Sequence, residues 1–351
     1  MAQFHKLSIK NIIRQTNKCV TLSFNIPEHL KDNFNFTAGQ YITLKTTINN
    51  EEIRRDYSLC SSPKSGDITV AVKEVENGTF SKHANNTLKE GDTMEVAEPQ
   101  GRFAFTPDHS KSRTIAAFAA GSGITPVLSI AKTVLEAEPN STFVLVYGNK
   151  SKKETIFFEE LLELNNKYKA RFDIKFVFSQ SQEPDALFGR IEKSTVNLIV
   201  KNKYKDTTID AFYLCGPEAM IHTVKEVLTE NNIAEDKVLF ELFKASKTEE
   251  TTENKVNAGE TEIKVIVDDE EIAFVMQQSQ TILDAALSKD IDAPYSCQGG
   301  ICSSCIARIT EGKATMRQNN ILTDNEVAEG LVLTCQAQPT SSRIVVDYDD
   351  V

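Results

Sequence analysis

Hydrophobic and polar positions change rhythm three times along the chain. From the N-terminus to about residue 107, short runs of alternating or β-branched residues recur: LSIKNII, VTLSF, QYITLKT, RDYSLC, DITVAVKEV and TMEVAEP. Turn-prone residues separate them, a spacing that predicts antiparallel strands closing into a barrel or sandwich. From 108 to 243 continuous apolar strands alternate with helical periodicity. TIAAFAA stops at Gly121, and Val127, Ala131, Val134 and Leu135 give the next helix an apolar face. STFVLVYG, a helix containing Phe158, Leu161 and Leu162, DIKFVFS, AFYLC, a helix starting at Pro217 and KVLFELF complete the unit. Such alternation predicts a parallel α/β sheet. Residues 244–260, KASKTEETTENKVNAGE, hold almost no apolar side chains and read as a linker. Residues 261–351 read as a small α+β domain, with strands EIKVIVD, EIAFVM and RIVVDYD and a helix in TILDAALSK.

A length of 351 residues agrees with this division, since one core rarely serves so long a chain. No apolar run approaches the roughly 18 residues that span a bilayer, and the opening MAQFHKLSIK lacks the apolar segment of a secretory signal. The expectation is a cytoplasmic protein with no membrane contact. The net charge of −11 is uneven: residues 261–351 carry 15 acidic and 6 basic side chains, a net of −9. That balance disfavours nucleic acid as a partner and suits a basic protein surface, or simple solubility.

Four of the seven cysteines change the picture most. Cys297, Cys302 and Cys305 stand in a C-x4-C-x2-C run, and Cys335 follows after 29 further residues. This is the ligand spacing of a plant-type [2Fe–2S] cluster, three thiolates from one loop and a fourth from a distant segment. A zinc site would ordinarily present two C-x2-C pairs, and only one is present. Gly299 and Gly300 let backbone amides approach the sulfurs. The segment resembles the plant-type ferredoxin family across about 90 residues, which implies a β-grasp fold.

On the expected strand Arg55-Asp56-Tyr57-Ser58, alternation puts Arg55 and Tyr57 on one face and Asp56 and Ser58 on the other. Arginine suits a pyrophosphate and tyrosine a flat ring, although a tyrosine in a barrel strand is by itself more often core. Upstream stands Phe36-Thr-Ala-Gly39-Gln-Tyr41, downstream Gly78-Thr-Phe-Ser81, where Ser81 is expected to open a short helix. Together these resemble the R-x-Y-S, F-x-x-G-Q-Y and G-x-x-S signatures of the ferredoxin–NADP reductase superfamily. The resemblance implies FAD, with Arg55 and Ser81 on the pyrophosphate, Gly78 in its turn, Tyr57 along the isoalloxazine, Ser58 at flavin N5, and Val72 and Lys73 edging the ring.

Gly121-Ser-Gly123-Ile-Thr125-Pro126 joins a buried strand to a helix, where open α/β sheets bind phosphate. It is not the G-x-G-x-x-G fingerprint, because Pro126 takes the third glycine position. It resembles the nucleotide domain of the same superfamily, as does Cys215-Gly216-Pro217-Glu218, with Cys215 implied near nicotinamide C4. Glu241-Leu242-Phe243 is similar to a family ending in which Phe243 would cover the flavin face and swing aside for the coenzyme. Read without that resemblance, Cys215 is a buried thiol and Phe243 a core aromatic.

Flavin, nucleotide and ferredoxin motifs in this order resemble the reductase components of multicomponent oxygenases. GSGITPVLSI, YGNKS and FGRI are similar to the reductase subunits of phenylacetyl-CoA epoxidases. The implied function is electron transfer from NADH or NADPH through FAD to [2Fe–2S] and on to a diiron oxygenase. Ser58, Cys215 and Phe243 are the expected catalytic residues, and hydride transfer itself asks for no acid or base. Alternatives are a desaturase, a hydroxylase or a separate redox carrier as acceptor, and, more remotely, a redox-responsive regulatory module. Gln180-Ser181-Gln182-Glu183 follows FVFS without a basic residue for a 2′-phosphate, which leans the coenzyme toward NADH.

Overall fold

A computed structural model describes residues 3–243 and 259–351. The chain divides into two compact units, one spanning Phe4–Phe243 and the other C-terminal to it. The expected linker falls at residues 244–260, of which 244–258 lie outside the described residues.

The first unit begins with six strands, β1 (Phe4–Thr16), β2 (Cys19–Asn25), β3 (Tyr41–Ile48), β4 (Glu51–Ser58), β5 (Ile68–Lys73) and β6 (Thr93–Ala97). All pair antiparallel in the order β4-β3-β6-β1-β2-β5. A bridge between Leu59 and Val70 joins the two edges, so the sheet curls toward a barrel with Leu7, Leu22, Ile42, Leu44, Val70 and Val96 inside it. The β3–β4 hairpin turns on Asn49 and Asn50, both at positive φ, the backbone that a tight two-residue turn asks of asparagine. Helix α1 (Thr79–Asn86) follows β5. It starts two residues before the expected Ser81, because Gly78 supplies the extended cap.

Next come β7 (Thr114–Ala120), α2 (Ile124–Ala137), β8 (Thr142–Asn149), α3 (Phe158–Lys167), β9 (Phe172–Phe178), β10 (Leu187–Phe188), α4 (Lys193–Asn197), β11 (Ala211–Gly216), α5 (Glu218–Glu230) and β12 (Val238–Leu242). The strands form one parallel sheet, β10-β9-β8-β7-β11-β12. The chain leaves β7 for β8 on one side and returns to β11 on the other. The carboxyl ends of β7 and β11 therefore flank the crevice where open α/β sheets bind ligands. The short β10 and α4 fall where no strong periodicity stood in the sequence.

Helix α2 is buried almost all round, more than the single expected face. It lies between its own sheet and the barrel: Ser129 Oγ donates to Ser61 O at 2.7 Å, and Lys132 Nζ to Cys60 O at 3.1 Å. Tyr213 OH donates to Ala104 O at 3.1 Å, and at the start of β7 Arg113 pairs with the fully buried Glu138 that ends α2. A buried, multiply hydrogen-bonded pair of this kind fixes orientation more than it adds net stability.

The C-terminal unit contains β13 (Glu260–Val267), β14 (Glu270–Gln277), α6 (Ile282–Leu287), β15 (Ile306–Glu311), β16 (Ala314–Met316), α7 (Asp324–Ala328), β17 (Leu331–Leu333), β18 (Ala337–Pro339) and β19 (Arg343–Asp347). Its main sheet runs β14-β13-β19-β15-β17, with β13 and β19 parallel and the other pairs antiparallel. β16 and β18 form a separate ribbon. Thr281 caps α6 through Asp284 N, and Ile282, Leu283, Ala285 and Ala286 bury its inner face. The result is the α+β ferredoxin-type domain expected from the sequence. Among the described residues no helix is long and apolar enough to cross a membrane.

Candidate functional site

Parallel register builds the centre of the first unit. β11 pairs with β12 so that Cys215 stands opposite Glu241. β4 ends at Ser58, whose Oγ donates to Glu241 Oε2 at 3.1 Å across 183 residues of sequence. Asp56, on the same strand face as Ser58, accepts from Thr43 Oγ1 at 2.6 Å. Burial pushes the Glu241 carboxyl up to about 8; the Ser58 hydrogen bond pulls it back, and the charge of Asp56 raises it further. Burial first, and then the charge of Glu241, pushes the Cys215 thiol well above its ordinary range. Cys215 is thus a packed thiol, held away from the thiolate form by its surroundings. Phe243 follows β12 half-buried and packs on the same core.

The glycines at this point make room. A Cβ on Gly123 would fall 2.1 Å from Cys215 O, and one on Gly216 would fall 2.8 Å from Met220 Cε. Gly121 takes a φ of +56°, and its missing Cβ would sit 3.5 Å from Lys73 Nζ. Lys73 therefore reaches from the barrel strand to the G-S-G turn. Tyr147 OH, fully buried, donates to Gly121 O at 2.9 Å, and Thr125 Oγ1 to Ser122 O at 3.0 Å, so the turn is held from below. Pro126 is buried in the first turn of α2, and Pro217 caps α5. Ser181 Oγ, past the end of β9, is buried with no hydrogen-bond partner, the kind of orphaned hydroxyl that a coenzyme ribose would satisfy.

The barrel face fits a dinucleotide flavin. No side chain caps the start of α1 at Gly78, and a Cβ there would fall 2.3 Å from Ser81 Oγ, so the first-turn amides stay open for an anion. Ser81 Oγ accepts from Val75 N at 3.2 Å and ties the turn to the helix. Tyr57 packs on Phe80 at 5.5 Å between ring centroids. Arg55 is exposed, its Nη1 resting on Arg54 O at 2.6 Å. The Val72 side chain is fully buried in the barrel and its carbonyl accepts from Asn85 Nδ2, so it supports the flavin strand rather than meeting a ligand through its side chain. Asn85 also donates to Ser81 O and accepts from Arg14, fastening α1 to β1 and β5.

In the C-terminal unit all four cysteines of the spacing motif are free thiols. Gly299 N donates to Cys297 Sγ at 3.3 Å. Gln298 and Gly300 both adopt positive φ, turning successive amides into the loop. The hydrogen bond from Cys305 holds the Cys335 thiol below its ordinary value against the effect of burial. Ser296 Oγ, beside Cys297, is buried without a partner. Among the described residues no three His, Cys, Asp or Glu side chains are placed to hold one ion. A two-iron cluster, with ligands divided between its irons, asks for no such group.

Sequence reasoning missed the weight of Glu241, of Asp56 and of Tyr147. Their roles depend on register between strands far apart in the chain, which no local pattern displays.

Comparison with known proteins agrees with this geometry. Residues 6–105 match the oxidoreductase FAD-binding domain, residues 118–226 the oxidoreductase NAD-binding domain, and residues 265–340 the 2Fe-2S iron-sulfur cluster binding domain. A component of the 1,2-phenylacetyl-CoA epoxidase from Escherichia coli (strain K12) is 36% identical over 351 residues, 99% of each chain. The ferredoxin reductase component of 3-ketosteroid-9-alpha-monooxygenase from Rhodococcus rhodochrous is 31% identical, covering 97% of this chain and 96% of its own. Phthalate dioxygenase reductase shares the fold at a TM-score of 0.60 and 23% identity, covering 98% of both chains. An intact type IV self-sufficient cytochrome P450 monooxygenase shares it at 0.72 and 19%, over 98% of this chain and 41% of that one. With its FAD-binding, NAD-binding and 2Fe-2S domains, this chain belongs to the family of NAD(P)H-dependent reductase components that pass electrons to oxygenases.

Proposed function

We propose that the chain is the reductase of a phenylacetyl-CoA epoxidase-type diiron oxygenase. The observation that carries the chemistry is the convergence of Ser58, Cys215 and Glu241 beside the Gly121–Gly123 turn, at the carboxyl ends of β7 and β11. The Escherichia coli epoxidase component, related over its full length, carries the choice of partner.

FAD, when bound, would supply a two-electron hydride acceptor, and a [2Fe–2S] cluster a one-electron carrier. The residues serve that exchange by position. The uncapped first turn of α1 at Thr79, with Ser81 and Arg55, would hold the FAD pyrophosphate, while Gly78, its N–H donated to Val75 O at 3.0 Å, shapes the turn, and Tyr57 would lie along the ring. Gly121, Gly123, Thr125, Pro126, Gly216 and Pro217 shape the coenzyme crevice. Ser58 offers its hydroxyl at flavin N5, and Glu241, protonated through neutral pH, keeps that hydroxyl oriented. Cys215 supplies a small apolar wall against nicotinamide C4, and Phe243 shields the flavin face until the coenzyme enters. Cys297, Cys302, Cys305 and Cys335 hold the cluster. The functional division follows residues 1–107, 108–243 and 261–351.

NADH is the proposed coenzyme, since Ser181 stands without a basic neighbour in its own segment. The free cysteines suit a reducing compartment, which supports a cytoplasmic location. Anaerobic titration with NADH, then NADPH, tests the reading. Bleaching of the flavin together with an EPR signal of reduced [2Fe–2S] is expected, at lower NADH than NADPH. A cluster that neither coenzyme reduces would sink it. Reconstitution with purified oxygenases then separates the epoxidase from a desaturase, a hydroxylase or a separate carrier as acceptor.

A further inference from the structure

Gln336 follows the ligand Cys335 and is pinned at both ends of its peptide: its N–H donates to Leu333 O at 2.8 Å, and its carbonyl accepts from Arg317 N at 3.0 Å. From that fixed base its side chain crosses to the other ligand segment. Nε2 donates to Gln298 O at 3.0 Å and to Cys335 Sγ at 3.6 Å, using both of its hydrogens. The crossing depends on Gly300: a Cβ there would fall 3.0 Å from Gln336 Cγ, and the φ of +69° excludes most side chains anyway. Gln298, the acceptor, is held at a φ of +51°, so its carbonyl points where few residues would put it.

We propose that Gln336 sets the potential of the cluster and keeps its two ligand segments in register. The inference rests on the reading that Cys297, Cys302, Cys305 and Cys335 hold a [2Fe–2S] centre. An N–H donated to a ligand sulfur stabilises the more negative, reduced cluster and raises its potential. The second hydrogen ties the C-x4-C loop to the Cys335 segment, so one side chain joins ligands contributed from distant parts of the sequence. Gln336 is a positioning residue: it acts on the cluster through Cys335 and Gln298.

The test uses the full-length protein with its cluster. Gln336→Met keeps length and removes both donors; Gln336→Glu keeps shape and cannot donate as a carboxylate. In EPR-monitored redox titrations both are expected to lower the cluster's one-electron equilibrium constant about tenfold, a fall of about 59 mV, with the larger shift in the Glu variant. Iron release to a chelator is expected to be faster in both, while the flavin potential stays unchanged. On the parent protein, pulsed EPR after labelling glutamine side chains with 15N is expected to show a nitrogen coupled to the reduced cluster. An unchanged potential in both variants, or no such coupling in the parent, would overturn the role of Gln336. A parent protein without any [2Fe–2S] signal would instead overturn the cluster reading, and the inference with it.

Discussion

The two redox centres of this chain are built in opposite ways. In the C-terminal unit three of the four cysteines proposed as cluster ligands lie within nine residues, on a turn of positive-φ backbone. In the first unit, Ser58, Cys215 and Glu241 come from strand ends in two different sheets, and only the register of β11 on β12 and the packing of β4 bring them together. A centre built from one loop tolerates change elsewhere and fails when a ligand is lost. A centre built between sheets fails by degrees, through anything that shifts one sheet on the other.

The largest expected effect comes from the local centre. Cys335→Ala should abolish the cluster and lower electron delivery to a protein acceptor by about 100-fold or more, since even outer-shell changes at metal sites cost 10–100-fold. NADH-driven reduction of ferricyanide by the flavin should persist. If both activities fell together, the two centres would be coupled in a way this division does not allow.

Next comes the contact that holds the crevice tight. Gly123→Ala puts a methyl 2.1 Å from Cys215 O and should destabilise the first unit by about 3 kcal/mol, the upper range for overpacking. Urea unfolding followed by flavin fluorescence checks this, and cluster absorbance should be retained beyond the flavin transition.

Ser58→Ala should slow flavin reduction by roughly 10–100-fold in stopped flow, the scale on which small losses of alignment act, with little change in NADH affinity. A change confined to KM would move Ser58 from alignment to binding.

Smaller still is a pH effect on the cofactor-free protein. The Glu241 carboxyl ionises near 4.5 when unfolded and near 8 when folded, so the folded state binds the extra proton between those values. Its contribution to stability is complete below about 4.5 and is lost as pH rises to about 8. Melting temperatures across that window should fall less steeply in Glu241→Gln than in the parent. Parallel slopes would mean that Glu241 is ionised in the fold.

Much of this architecture was legible in the residues. All six barrel strands were marked by alternation between turn residues, and the parallel strands by apolar runs such as TIAAFAA and FVLVYG. The cysteine spacing pointed to a 2Fe-2S domain, which residues 265–340 match, because residues close in sequence must be close in space. Other features were not legible. The start of α1 at Thr79 depends on Gly78 acting as cap, where Ser81 had looked the better candidate. The all-round burial of α2 depends on the barrel that covers its far side. The charge state of Glu241 depends first on its burial and then on Ser58 and Asp56, 183 and 185 positions away, and no window of sequence holds all three. Strand parity turns the Val72 side chain into the barrel, so a place for it at the flavin edge rests on its backbone.

In the C-terminal unit, β13 and β19 pair in parallel at the middle of the sheet, and Thr261 Oγ1 donates to Ser341 O across 80 residues. That pairing encloses all four cysteines in a single long chain loop. The sheet therefore cannot close until the whole ligand-bearing segment has left the ribosome, and its non-local contacts make closure slow. Iron would have access to the thiols during that interval, and a cluster on the proposed ligands would hold Cys335 to the 297–305 loop, shortening the loop that remains to be closed. Iron-starved cells should therefore accumulate this protein with its C-terminal unit open to proteases and its flavin–nucleotide unit intact.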